Sequence, residues 1–237
     1  MILDVLAFAA HPDDVELACS GTLMKLKSQG KNVGVVDLTK GELGTRGTIQ
    51  TRKEEAQTAS EIMNLDVRDN LGLADGLFEL NTETRLAVVR SIRKYKPSIV
   101  LANATDDRHI DHPKASQLVK EAVFLAGLAK IETKDEGEVQ APWRVKHLFN
   151  YIQHYHITPD FVVDVTPFQS RKIDSILAYK TQFYNPENKG AETPISSKRF
   201  LDFLNGRARE MGESIGVEFG EGFTSNTPLS YDLVNLL

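Results

Sequence analysis

Two short polar segments hold most of the chemistry available to this sequence. The first, His11-Pro12-Asp13-Asp14, sets an imidazole and a carboxylate three positions apart, close enough in a turn to share one cation. The second, Asp106-Asp107-Arg108-His109-Ile110-Asp111-His112, supplies two further imidazoles much later in the chain. A catalytic zinc site commonly takes three protein ligands from His, Asp and Glu and keeps a fourth position for the water it activates. His11 and Asp14 supply two such ligands and His112 a third. His109 is the alternative, because it lies three residues from His112 and can share a turn face with it. Asp13 then has a separate task, since an unligated carboxylate beside the site can take the proton of the attacking water. The plainer reading is that Asp13 and Asp14 cap a helix, as Asp often does. Capping explains the pair taken alone, but not its coincidence with a second His-rich segment.

Other residues are placed around that centre. As an imidazolium, His109 could stabilise an oxyanion or protonate a leaving nitrogen. Asp111 could orient it, although a solvated loop acid reads the same way. Arg52 opens a helical pattern continued by Lys53-Glu54-Glu55. A cation is mildly unfavourable at a helix start, so its placement hints at a substrate oxygen or carboxylate; ordinary surface charge is the competing account. Alternation beside Tyr151 and Tyr155 puts His154 and His156 on one strand face, toward a cleft or toward water. Cys19 reads as a small buried residue. Ser20-Gly21-Thr22 is no nucleophile elbow, because G-x-S-x-G is absent.

For the two segments to meet, the elements before them must end at one edge. Apolar runs at 5–9, 33–38, 99–102 and 161–165 suit strands of a sheet covered on both faces. Helical patterns near 20–30, 52–64, 83–95, 114–130, 167–182 and 198–212 alternate with them. This predicts an α/β, Rossmann-like three-layer fold with a mainly parallel sheet, in a single domain over 1–237. In such sheets ligands bind beyond the carboxyl ends of the strands, and both polar segments directly follow an apolar run. Neither G-x-G-x-x-G after the first run nor a P-loop motif is present, which argues against dinucleotide or P-loop phosphate binding. Segment 133–138 reads as a charged surface loop, and 184–197 as a lid or a plain exposed connection.

Composition narrows the function classes. The formal net charge of −5 leaves no basic field for nucleic acid or an anionic membrane. One cysteine excludes an internal disulfide. The short first apolar run, broken by Asp4, does not make a secretory signal, so a cytoplasmic location is expected.

Ala10-His11-Pro12-Asp13-Asp14-Val15-Glu16, Gly21-Thr22-Leu23 and His109-Ile110-Asp111-His112 together resemble the LmbE-like, or PIG-L, family of zinc-dependent N-acetylglucosaminyl deacetylases, over most of the chain to Glu221-Gly222-Phe223. Asp37-Leu38-Thr39, Gly47-Thr48, Thr51-Arg52-Lys53-Glu54-Glu55-Ala56 and Asp107-Arg108-His109 look most like the branch that deacetylates N-acetylglucosaminyl-malate in bacillithiol synthesis. The resemblance implies that His11, Asp14 and His112 bind zinc, or iron(II), and that Asp13 is the general base. It implies His109 as a charged partner supported by Asp111, Arg52 as a substrate contact, a small amino-sugar substrate, and a closed homo-oligomer such as a hexamer. One departure is Ile110, where the family usually has proline; this bears on the stiffness of the loop, not on its ligands. Rival readings are another metallohydrolase, such as an esterase or a deacetylase of chitin-like or inositol-linked substrates, and a non-catalytic sugar- or metal-binding module. Asp13 favours an enzyme, since a binder needs no spare base.

Overall fold

A computed structural model describes residues 1–230 of the chain. The strands are β1 (Val5–Ala9), β2 (Val33–Thr39), β3 (Val67–Leu73), β4 (Ile99–Ala102), β5 (Lys134–Asp135), β6 (Glu138–Val139), β7 (His147–Tyr151), β8 (Phe161–Asp164) and β9 (Gly220–Ser225). The helices are α1 (Asp14–Ala18), α2 (Ser20–Ser28), α3 (Ile49–Met63), α4 (Thr82–Tyr95), α5 (Asp111–Ala126), α6 (Gln169–Leu177) and α7 (Lys198–Glu213).

Seven strands form one sheet in the order β3-β2-β1-β4-β7-β9-β8. β3, β2, β1, β4 and β7 run parallel, while β9 pairs antiparallel with both β7 and β8. β1 and β2 are buried along their whole length because both faces are covered. Leu6 and Phe8 point into one core with Val88, Ile92 and Leu118 of α4 and α5. Val5, Ala7 and Ala9 face the other, with Val15, Cys19 and Leu23. The expected three-layer α/β fold is therefore the observed one. A third cluster joins α3 and α6 to α7 through Ala59, Ile176, Tyr179 and Leu204. Among the described residues no helix is long and apolar enough to cross a membrane.

The sheet places the candidate site. β1 has β2 on one side and β4 on the other, so the loops leaving β1 and β4 diverge and open a crevice at their carboxyl ends. His11 to Asp14 lie at the end of β1, and His109 to His112 lead into α5 after β4.

Several elements differ from expectation for local reasons. α3 starts at Ile49 because Thr48 and Thr51 form a reciprocal capping box. The 133–138 loop is a hairpin, β5-β6, turned by Glu136 and Gly137 at positive φ. The last helical stretch of the 167–182 pattern stops at Leu177, after a 3-10 turn at Thr166–Phe168. β9 lies close to α7 by virtue of glycine: a Cβ on Gly220 would fall 2.6 Å from Val162 Cγ1 and 2.9 Å from the Gly212 nitrogen.

Candidate metal centre

α1 begins directly after β1, and its entry is strained. Asp13 sits at φ 129, a region that L-residues rarely adopt, and its side chain makes no capping hydrogen bond. The capping account of Asp13-Asp14 thus fails for both residues. Asp14 turns inward, where its Oδ2 accepts from the His11 backbone N–H at 2.9 Å and from Asn103 Nδ2 at 3.0 Å. Its Oδ1 accepts from Gln153 Nε2 at 3.0 Å.

Two imidazoles flank this carboxylate. His11 Nδ1 lies 3.6 Å from Asp14 Oδ2, and His112 Nε2 lies 3.1 Å from Asp14 Oδ1. The outer nitrogen of each ring is held by other carboxylates. His11 Nε2 faces Asp75 Oδ1 at 3.1 Å and Asp111 Oδ2 at 3.2 Å, while His112 Nδ1 bonds Asp107. Carboxylates there hold a proton on the outer nitrogen and orient the inner nitrogen toward Asp14, the usual support for a metal-ligating histidine. Burial alone would lower the His112 pKa, but the Asp14 charge and the hydrogen bond to Asp107 push it up to about 9. His11 is likewise raised well above its ordinary value, its bonds to Asp111, Asp14 and Asp75 outweighing burial. Burial would also raise the Asp14 carboxyl, yet the His112 charge and hydrogen bonds from His11 and His112 hold it well below the usual range. Two imidazoles inside this ring of carboxylates draw positive charge, and a donor set of two nitrogens and one oxygen fits a divalent ion of the zinc type.

His109 lies within the same cluster. Its ring centroid is 4.5 Å from that of His11 and 5.1 Å from that of His112. One nitrogen from each of the three rings falls within 4.8 Å of the others, so distance alone also permits a three-histidine set; His11, Asp75 and Asp111 make a second such group. The hydrogen bonds favour Asp14 as the third ligand, because the inner nitrogens of His11 and His112 both face it. The His109 Nδ1 accepts the Asp111 backbone N–H at 3.3 Å, leaving the proton on Nε2. Burial lowers the His109 pKa, and the charges of His11 and His112 lower it further, which disfavours the imidazolium expected of it. The Asp111 carboxylate supports a different residue from the one expected. As the first residue of α5 it turns inward to His11 Nε2 and the Gly76 N–H, and only its backbone meets His109. Ile110 holds φ at −59, within the range a proline would impose, so the loop keeps that conformation without one.

Asp13 has a different environment. Its Oδ2 lies 3.2 Å from Arg52 Nη2, which also donates to the Pro12 carbonyl. Arg52 is buried in the first turns of α3, its guanidinium 5.5 Å from the centre of the Tyr179 ring. Gly41, at φ 65, closes over it; a Cβ there would approach Nη2 to 3.2 Å. Burial pushes Asp13 up to about 7 against the pull of Arg52, with Asp14 adding to the rise. A carboxylate near neutrality and free of any ligand role is suited to proton transfer.

The cavity above these groups has a volume of about 420 Å³. Asp13, Arg52, His109 and His154 line it; His156 is exposed, 3.6 Å from Glu210. Because β7 ends at Tyr151, the strand alternation expected for the two histidines does not extend to them. The 184–197 segment has no regular secondary structure; Gly190 and Ala191 accept from Arg46, and Ile195 reaches the cavity. Asp75, Asn103 and Gln153 do not stand out in the sequence, and Asp107 stands there without a role of its own. The rule that singled out His11 also reaches them, since each lies within a few residues of a parallel strand's carboxyl end.

Several known proteins resemble this chain. The profile of the PIG-L family, described as GlcNAc-PI de-N-acetylase, matches residues 6–123. Diacetylchitobiose deacetylase of Thermococcus kodakarensis is 30% identical over 189 residues, covering 76% of this chain and 70% of that protein. The chain belongs to the PIG-L family. Among solved structures, the conserved protein TT1542 of Thermus thermophilus superposes with a TM-score of 0.86 at 37% identity, covering 98% of each chain. A further relative, the probable N-acetyl-alpha-D-glucosaminyl L-malate deacetylase 2 of Bacillus anthracis, is 24% identical over 200 residues, covering 76% of this chain and 81% of that one.

Proposed function

We propose that this chain hydrolyses the acetamide of an N-acetylglucosaminide, with N-acetylglucosaminyl-malate of bacillithiol synthesis as the substrate. His11, Asp14 and His112 would hold a divalent ion, zinc in the first place and iron(II) in the second. When bound, such an ion supplies a Lewis acid that polarises a carbonyl and makes water more acidic. The observation that carries the reading is Asp13: strained, buried, not engaged in capping, with its pKa raised to about 7 beside the metal-ligand set.

The protein's own groups then divide the work. Asp13 accepts a proton from the water that attacks the acetamide carbon. Arg52 holds Asp13 through Nη2 and limits how far burial can raise its pKa. His109 offers its Nε2–H to the oxygen that becomes negative in the tetrahedral intermediate. The proton taken by Asp13 passes to the amine as the C–N bond breaks, giving acetate and a free glucosamine. Diacetylchitobiose is the second substrate candidate, on the strength of the Thermococcus relative. Acetate release from N-acetylglucosaminides carrying malate, inositol or a second sugar tests the reading. The expected result is fastest release from the malate compound. No release from any of them by protein loaded with zinc or iron(II) would overturn it.

A further inference from the structure

Buried cations in this protein are paired. Arg52 has Asp13, and Arg68 has Asp37 and Glu16. Lys172 has Glu221, and Arg93 donates to three backbone carbonyls and Thr133. Arg207 on α7, half-buried as a residue, is the exception. It makes no ion pair or hydrogen bond among the described residues, and its Nη1 is buried without a partner. A buried donor left without an acceptor destabilises the fold, so a bound group that satisfies it fits the site.

The position of Arg207 says what that group is. Its guanidinium lies 5.3 Å from the centre of the Phe203 ring, which in turn stands 5.2 Å from the His154 ring. All three line the metal-site cavity, so the donor borders space that a substrate enters. Burial lowers the Arg207 pKa to about 10, which leaves it charged at neutral pH. Burial also lowers the His154 pKa, with Arg108 and Arg207 adding to the effect; Arg108 lines the cavity too, but as an exposed side chain in contact with water. A planar guanidinium favours an oxyanion able to accept two hydrogen bonds. Arg52, by contrast, already gives its Nη2 to Asp13 and the Pro12 carbonyl.

We propose that Arg207 is the specificity residue of this site, gripping a carboxylate on the aglycone of the substrate. The inference rests on the deacetylase reading above and names the part of the substrate that the Phe203–Arg207 wall recognises.

The test compares kcat/KM of metal-loaded wild type, Arg207→Gln and Arg207→Lys on N-acetylglucosaminyl-malate and on its uncharged malate dimethyl ester. Losing one charge-assisted hydrogen bond costs about ten- to a hundredfold. Arg207→Gln is expected to lose that much on the acid, mainly through KM, and far less on the ester. Arg207→Lys should fall between wild type and Arg207→Gln on the acid. Equal losses on both substrates, or no loss on the acid, would overturn the proposal. Should Arg207→Gln fail to fold, the acid-to-ester ratio of Arg207→Lys decides: a reduced ratio supports the assignment and an unchanged one refutes it. If wild type releases acetate from neither compound, malate as the aglycone of the deacetylase reading fails. Calorimetric binding of glucosaminyl-malate then judges Arg207 separately, with weaker binding by Arg207→Gln sustaining it and equal binding rejecting it.

Discussion

Asp13→Asn removes a proton acceptor while keeping the shape of the side chain. The amide oxygen can still accept from Arg52 Nη2, so the entry to α1 and the nearby ligands should stay in place. Removing a general base costs on the order of 10²–10⁴ in rate, or about 3–5.5 kcal/mol of barrier. The structure puts this case toward the upper end, because the other carboxylates around the centre are committed. Asp14 lies between His11 and His112, Asp75 and Asp111 hold His11, and Asp107 holds His112. Among the described residues that line the centre, no spare carboxylate stands in for Asp13. The assay is single-turnover acetate release by wild type and Asp13→Asn, each with its metal content measured by elemental analysis. Normal metal content with a rate on the order of 10⁴-fold lower is expected. Normal metal content with wild-type turnover would refute the reasoning and move the base elsewhere. Loss of the metal itself would place Asp13 among the ligands.

Further outcomes follow from the same geometry. His11→Ala and His112→Ala should empty the site, while His109→Ala keeps the ion and slows turnover; retention by His112→Ala together with loss in His109→Ala would reverse the ligand choice. Arg52→Gln removes the charge that holds Asp13 down, so the acidic limb of kcat/KM should move up by about 1–3 pH units, with acid and ester substrates damaged alike. An unmoved limb, or damage confined to the acid, would return Arg52 to substrate recognition. In metal-stripped protein, His112 is raised from 6.5 to about 9, so its stabilising contribution is complete below pH 6.5 and disappears as pH rises through 9. Asp13, raised from 3.8 to about 7, acts in the same direction as pH rises through 7. The melting temperature of the stripped protein should therefore fall across that window, and a flat or rising profile would contradict the assignment.

The parts of the fold legible in the sequence were those whose burial is uniform. β1 and β2 are covered on both faces, so their residues read as unbroken apolar runs. β3 was not legible, because an edge strand half open to water carries Arg68, Asp69 and Asn70 in place of such a run. β9, with glycines at both Gly220 and Gly222, lacks the side chains by which a strand is recognised. At the site, the two polar segments after β1 and β4 could be found because imidazoles and adjacent carboxylates at close spacing are an unusual combination. Asp75 and Gln153 could not be found in that way. Each is a lone polar residue whose task appears only when separate strands converge, as when Asp75 and Asp111 meet at His11 Nε2. Arg52 stands out in the sequence by its charge, but its partner does not, since the contact with Asp13 joins the turn after β1 to α3.

The central claim is that the His11, Asp14 and His112 centre supports cleavage of an acetamide with Asp13 as base. The most direct measurement is made on one preparation before chelation, after it, and after reloading, with acetate and free amine quantified together from N-acetylglucosaminyl-malate. The account predicts about one divalent ion per chain and equal amounts of the two products. Activity should disappear with the ion and return when it is restored. Full activity in protein verified to be free of metal, or acetate formed without a matching amine, would contradict it.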